Sequence, residues 1–229
     1  MVMDYPGNAP ESYYECVGYQ DQQATAALVK QQAFQAMREL EGWCAESKAA
    51  ILIDLILASK PDIVVEIGVF GGKSLVPMAF ALRNNGQGKA FGIDPWSNLE
   101  SIQGMDEANK TWWHKLDHQA ILNGLIAKIN KFNLQNQITL IKATSKDAPS
   151  IHDIDFLHID GNHSEETSYF DVTKWVPLVK KGGIIVLDDV TWMIDGKASQ
   201  SKSLKYLDEH CTKQGQYTDG CDWAIWIKN

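Results

Sequence analysis

Ile63–Ser74 reads IVVEIGVFGGKS. A short β-branched run is followed at once by a glycine-bearing turn, and then by residues that open a helix. β-Branched side chains pack well on a pleated surface, and glycine permits a sharp reversal. The stretch therefore predicts a buried strand over Ile63–Ile67, the turn GVFGG, and a helix over Lys73–Arg83. Downstream the alternation continues, with strands expected over Ala90–Ile93, Ile138–Ile141, Ile154–Ile159 and Ile184–Leu187. Between and after them fall helices over Thr111–Asn130, with Trp112 and Trp113 at its start, and over Glu165–Val179 and Ser201–His210. Strand–helix alternation predicts a parallel sheet covered on both faces, and right-handed crossovers make it doubly wound.

Upstream, Gln22–Glu41 and Ala45–Ser59 read as helices separated by Gly42-Trp43. In the second, Ile51, Leu52, Leu55 and Ile56 recur at helical spacing. Residues 1–20, rich in Tyr, Pro, Gly and Glu, read as an irregular arm. The final stretch GQYTDGCDWAIWIKN places the turn signal Asp219-Gly220 between two strand-like runs, which predicts an antiparallel terminal hairpin. The expected architecture is one α/β domain over 1–229 with a doubly wound, mostly parallel, seven-stranded sheet. Segment 1–42 forms an arm and helix, and 96–113 is an inserted, lid-like segment.

A chain of 229 residues with 45% hydrophobic content can bury a full core. Its net charge of −8 repels phosphate backbones, so nucleic acid is not an expected partner. Cys16, Cys44, Cys211 and Cys221 fit no zinc spacing and read as reduced packing residues of a cytoplasmic protein. The N-terminus lacks the basic start and apolar run of a signal peptide, and no stretch approaches the roughly 18 apolar residues of a membrane span.

In doubly wound folds, ligands bind at the carboxyl ends of strands. Here those ends are acidic: Glu66, Asp94, Asp160 and the pair Asp188-Asp189. A buried carboxylate is costly without partners, so several along one sheet edge suggest a site for cations and hydroxyl groups. In the first turn, Gly68, Gly71 and Gly72 let the backbone approach a ligand, and Ser74 opens a helix with free N–H groups. Phe70 stands where the dinucleotide fingerprint needs its second glycine, which argues against NAD. Glu66 beside the turn suits a ligand with a positive charge. Asp94 is placed to accept hydrogen bonds from ribose hydroxyls, although Asp94-Pro95 is also a turn initiator.

VEIGVFGGKS followed by GIDPW resembles the first two motifs of class I S-adenosylmethionine-dependent methyltransferases, over nearly the whole chain from Glu41 onward. The resemblance implies a Rossmann-like sheet in the order three-two-one-four-five. It implies that Gly68–Gly72 hold the cofactor's methionine part and Asp94 its ribose. In KATSKDA, Thr144 and Ser145 stand where the family contacts adenine.

In that order strands four and five are neighbours, ~4.8 Å apart. Leu157–His163 reads LHIDGNH and Ile184–Val190 reads IIVLDDV. Asp160 and Asp188 then end side by side, with Asp189 adjacent. Three such carboxylates need compensation, by a proton on one of them or by a cation between them. No arginine lies near. An all-oxygen cluster suits Mg²⁺, Mn²⁺ or Ca²⁺. The plainer alternatives are a cap at Asp188-Asp189 and a turn at Asp160-Gly161. His163, in the loop after strand four, could accept a proton from a hydroxyl. Capping or surface roles are expected for His114, His118, His152, His158 and His210, with His158 facing a helix.

The stretch IDFLHIDGNHSEETSYFDVTKWVPLVKKGGIIVLDDV resembles metal-dependent small-molecule O-methyltransferases, in particular the branch containing macrocin O-methyltransferase. The catechol branch carries a lysine where His163 stands. The resemblance implies Asp160, Asp188 and Asp189 as metal ligands, His163 as general base, and a hydroxylated acceptor such as a sugar or diol. A relative on the same framework is associated with cephalosporin hydroxylation. The competing functions are a non-catalytic S-adenosylmethionine-binding module and a nicotinamide-dependent oxidoreductase. Trp96, Met105, Trp112, Trp113 and Trp192 could wall the pocket or close over it, with packing of the helix onto the sheet the plainer role for at least one of Trp112 and Trp113. Trp43 and Lys48, near the second helix, could touch the cofactor's methionine end and are not assigned to the site. The N-terminal helix could cover the pocket or form a contact between copies of a homo-oligomer.

Overall fold

The structure, a computed structural model, describes residues 11–218 and 222–229, with side chains from residue 22 onward. The Asp219-Gly220 turn, Cys221 and the side chain of Cys16 lie outside the described residues.

Two helices, α1 (Glu11–Met37) and α2 (Glu46–Ser59), precede the sheet. Residues 11–20, expected as irregular, thus belong to α1. Then follow β1 (Ile63–Ile67), α3 (Leu75–Asn85), β2 (Lys89–Asp94), α4 (Asn98–Ser101), α5 (Glu107–Trp113), α6 (His118–Lys131) and β3 (Ile138–Lys142). The second half runs β4 (Ile154–Ile159), α7 (Glu165–Trp175), β5 (Val179–Leu187), β6 (Met193–Ile194), β7 (Lys197–Ala198), α8 (Ser201–His210), β8 (Cys211–Tyr217) and β9 (Trp223–Lys228). Pro177 sits in a short 3₁₀ turn that ends α7 ahead of β5.

The main sheet has seven strands in the order β3-β2-β1-β4-β5-β9-β8. The first five pair in parallel, and β9 runs antiparallel to both β5 and β8. The expected doubly wound sheet and its antiparallel C-terminal hairpin are both present. β1 lies inside the sheet with both faces covered, so its residues alternate between two cores. Val64 joins Leu52, Leu75, Phe156 and Val186 beneath α1, α2, α3 and α6. Val65 joins Leu157, Trp175, Leu187 and Trp226 beneath α7 and α8. That burial on both faces is why these strands read as continuous apolar runs.

One local expectation is corrected. The single helix over Thr111–Asn130 is two helices, because Asp106 and Asp117 each cap a new start, accepting from Asn109 N and Ala120 N. Trp112 and Trp113 therefore close the short α5 inside the inserted segment. After Asp189 the chain forms the small β6–β7 ribbon around Asp195 and Gly196, both at positive φ. Among the described residues no helix is long and apolar enough to cross a membrane.

Trp226 is fully buried in β9 and donates from Nε1 to Asp208 at 2.8 Å. Trp226→Ala should cost about 3–5 kcal/mol in a denaturant melt, the range for a truncated core aromatic. Trp112→Ala, at a half-exposed position, should cost about 1 kcal/mol or less.

Candidate active site

The C-terminal edge of the parallel strands opens onto a cavity of about 490 Å³, lined among others by Gly68, Asp94, Ser145, Asp160, His163 and Asp189. That volume suits a cofactor-sized ligand.

At the β1 end, Gly68 allows two strand ends to meet. A Cβ there would stand 2.0 Å from the backbone oxygen of Asp160. Gly71 and Gly72 do not line the cavity. Their missing side chains admit the backbone of Glu41 and the side chain of Leu125, where a Cβ would come within 2.5 and 2.4 Å. Both glycines are thus required for packing. Glu66 lies lower. It is fully buried beneath the cavity floor, where Oε1 accepts from Ser74 Oγ and lies 2.8 Å from His158 Nδ1. Ser74 itself reaches the cavity wall.

Asp94 lies on the cavity as expected, and it also braces the turn. Oδ2 accepts from the amides of Val69 and Phe70 at 3.0 and 2.9 Å, and Oδ1 accepts from Trp96 N at 2.6 Å. Burial pushes its carboxyl above the ordinary value, against those amides. Thr144 and Ser145 both line the cavity. Ser145 Oγ donates to Asp171, and α7 grips the same loop through Lys174, whose Nζ donates to the carbonyls of Ser145, Lys146 and Ala148.

At the other end the β4–β5 register pairs Ile159 with Leu187 and delivers Asp160 and Asp188 together. Asp160, His163 and Asp189 offer ligand atoms within 4.8 Å of one another, and so do His158, Asp160 and Asp188. His163 Nε2 is 2.8 Å from Asp189 Oδ2. Asp189 holds a left-handed backbone, φ 52, and Gln200 Nε2 pins this corner by donating to the carbonyls of Asp188 and Asp189 at 2.7 and 2.8 Å. Burial and then the charge of Asp188 push the Asp160 carboxyl well above its usual range.

Two groups here escaped the sequence reading. Lys48, fully buried on α2, donates to Asp188 Oδ2 and lies 3.0 Å from His158 Nε2. Burial would raise the Asp188 carboxyl, but the Lys48 charge outweighs it and holds Asp188 well below the ordinary range. His158 is fully buried rather than capping or at the surface; it faces helix α2, as expected, and bridges Glu66 to Lys48. An ammonium at 3.0 Å calls for a lone pair on Nε2, which leaves Nδ1–H to donate to Glu66. The absence of an arginine had suggested no internal cation; a lysine from a helix far away in sequence supplies one. One ammonium offsets only one of three carboxylates. Asp188 Oδ1 remains buried without a hydrogen-bond partner. An orphan oxygen beside two more carboxylates is a donor set that fits a hard divalent cation.

Aromatic rings wall the mouth. Trp43 stacks on Phe70 with centroids 5.1 Å apart and meets Trp112 at 5.3 Å; Trp113 stacks on His118 at 5.9 Å. His118, expected to cap or face solvent, instead lines this cavity with neither ring nitrogen hydrogen-bonded. Asn162 Nδ2 ties the inserted segment to the loop after β4, donating to Gln103 O at 2.9 Å.

A family profile described as "Methyltransferase domain" matches residues 65–190, more than half of the 229 residues. Caffeoyl-CoA O-methyltransferase from Stellaria longipes is 25% identical over 142 residues, covering 62% of this chain and 52% of that protein. The chain thus spans about half the length of the curated relative it matches. Among solved structures, the O-methyltransferase TomG from Streptomyces achromogenes, in complex with SAM, superposes with a TM-score of 0.59 at 17% identity over 88% of this chain and 89% of that one. The O-methyltransferase from Bacillus cereus in complex with SAH gives 0.58 at 16% identity over 90% and 91%. At these identities the likeness establishes the fold.

Asp171 lines the cavity and is buried, and burial pushes its carboxyl from 3.8 up to about 7. Between those values the folded chain holds a proton that the unfolded chain has lost. Stability from this group is complete below pH 4 and is lost as pH rises through 7. Asp171→Asn keeps an acceptor for Ser145 without the charge. Thermal melts should show the variant matching the parent near pH 4 and exceeding it at pH 8.

Proposed function

Because the chain belongs to the methyltransferase-domain family, we propose that it transfers a methyl group from S-adenosylmethionine to a hydroxyl of a small molecule, with a divalent ion at Asp160, Asp188 and Asp189. The observation that carries this reading is the convergence of Asp160, His163 and Asp189 within 4.8 Å at one end of the cavity whose other end is the β1 turn. A phosphate-binding turn is not needed for such a cofactor, in keeping with Phe70 in the turn. SAM bound to the fold neighbour TomG supports the cofactor assignment.

When bound, S-adenosylmethionine supplies the methyl group and a divalent ion lowers the pKa of a nearby hydroxyl. Asp94 receives a ribose hydroxyl at Oδ1, which accepts one amide and keeps a lone pair, whereas Oδ2 already accepts two. Thr144 and Ser145 border the adenine. His163 takes the acceptor's proton at Nδ1, with Nε2–H held by Asp189 at 2.8 Å, a base oriented by a carboxylate. The protein's further contribution is alignment, since displacement at carbon depends on proximity. The aromatic wall of Trp43, Phe70 and Trp112 gives the acceptor an apolar face to lie on, and the inserted segment keeps water out. His163, rather than lysine, favours the macrocin-like branch, and with it a sugar or diol of a natural product as acceptor. The free thiols of Cys44 and Cys211 are in keeping with a cytoplasmic setting.

Methyl transfer from S-adenosylmethionine to a panel of catechols and glycosides tests the assignment. Asp160→Ala and Asp189→Ala should each lose about 100-fold or more in turnover, while calorimetry with S-adenosylhomocysteine shows binding within a few-fold of the parent. His163→Ala should lose about 10²–10⁴-fold. Unchanged turnover in a chelator would reject the ion. Trp112→Ala should raise the acceptor's KM several-fold with kcat unchanged.

A further inference from the structure

Lys48 is fully buried and belongs to the first turn of α2, yet its ammonium ends under β5. There it donates to Asp188 Oδ2, faces His158 Nε2 at 3.0 Å, and lies 5.9 Å from the centre of the Trp223 ring. An isolated ammonium in such a place would be expelled or neutralised. Here the contact with Asp188 Oδ2 supplies the opposite charge that such a burial needs. The ammonium occupies only one Asp188 oxygen. The other, Oδ1, is buried and has no hydrogen-bond partner among the described residues. Asp160, Asp188, Asp189 and Lys48, all ionised, sum to two negative charges.

We propose that Lys48 is a positioning residue and built-in counter-ion: it clamps Asp188 from behind, presents Oδ1 to the cavity, and reduces the acid cluster to a charge that one dication neutralises. The inference rests on the divalent-ion reading above. It goes further in assigning the ion's charge balance to a residue outside the acid cluster. A site held open this way persists without its ion, because the carboxylates do not have to repel one another unopposed. It also binds the ion less tightly than three bare aspartates would, because ammonium and dication repel.

The test is Mn²⁺ binding, read by electron paramagnetic resonance, together with thermal melts on the full chain carrying Lys48→Met or the pair Lys48→Met, Asp188→Asn. In the single variant the ion-free melting temperature should fall by several degrees. Mn²⁺ should bind about tenfold tighter or more, and it should raise the melting point by more than in the parent. The double variant should recover most of the lost melting temperature, since neither buried charge remains, without regaining Mn²⁺ affinity. A single variant too unstable to study still tests the idea through the double one: recovery of folding supports the charge pairing. A double variant as unstable as the single makes Lys48 a packing residue and overturns the proposal. So does a Lys48→Met chain with unchanged or weaker Mn²⁺ affinity beside a parent that binds Mn²⁺. A parent chain that binds no Mn²⁺ overturns the divalent-ion reading itself, and this one with it.

Discussion

The β4–β5 register is the constraint on which the site depends. By pairing Ile159 with Leu187 it sets two aspartates at adjacent strand ends, and the next residue, Asp189, adds a third. Like charges so close raise one another's pKa unless something positive intervenes. Much of the polar structure nearby follows from that repulsion. Lys48 is drawn out of α2 to meet Asp188, Gln200 locks the two backbone carbonyls of the corner, and His163 leans on Asp189.

The same compensation connects the two ends of the cavity. Ser74, Glu66, His158, Lys48 and Asp188 form one buried chain of contacts running beneath the floor from the helix after the β1 turn to the acid cluster. Its members come from α2, the start of α3, β1, β4 and the end of β5. A polar network in a core is costly if any partner is lost, so it fixes those elements in one relative arrangement. Gly68 serves the same end sterically, since only a residue without Cβ lets the β1 turn lie against the Asp160 backbone. The β1 turn and the acid cluster are held in register by charge on one side of the sheet edge and by close packing on the other.

The fold was legible because its information is local. Ile63–Ile67 and Ile154–Ile159 appear at the expected bounds, since β-branched runs buried on both faces carry their pattern in a few residues. The break between α5 and α6 was missed where one side chain, Asp117, decides it by capping. At the site, residue type and strand-end position were enough to bring Asp94, Asp160, His163 and Asp189 to the cavity. They could not tell a residue above the floor from one beneath it. Glu66 alternates with Val65 and Ile67 and looks like a ligand contact, but pairing with His158 turns it into the core. Lys48 and His118 were missed because their roles depend on elements distant in sequence, and no spacing records that. The one available signal was a lysine within an apolar helix, in ESKAAILIDLILAS, where a buried charge demands an acid across the core.

The most direct test is diffraction at the manganese edge from crystals grown with Mn²⁺ and S-adenosylhomocysteine. A single anomalous peak about 2.0–2.3 Å from oxygens of Asp160, Asp188 and Asp189, with the Lys48 ammonium still on the far oxygen of Asp188, is the expected result. Density for the cofactor product with no peak among those carboxylates, or with the ammonium itself standing between them, would contradict it.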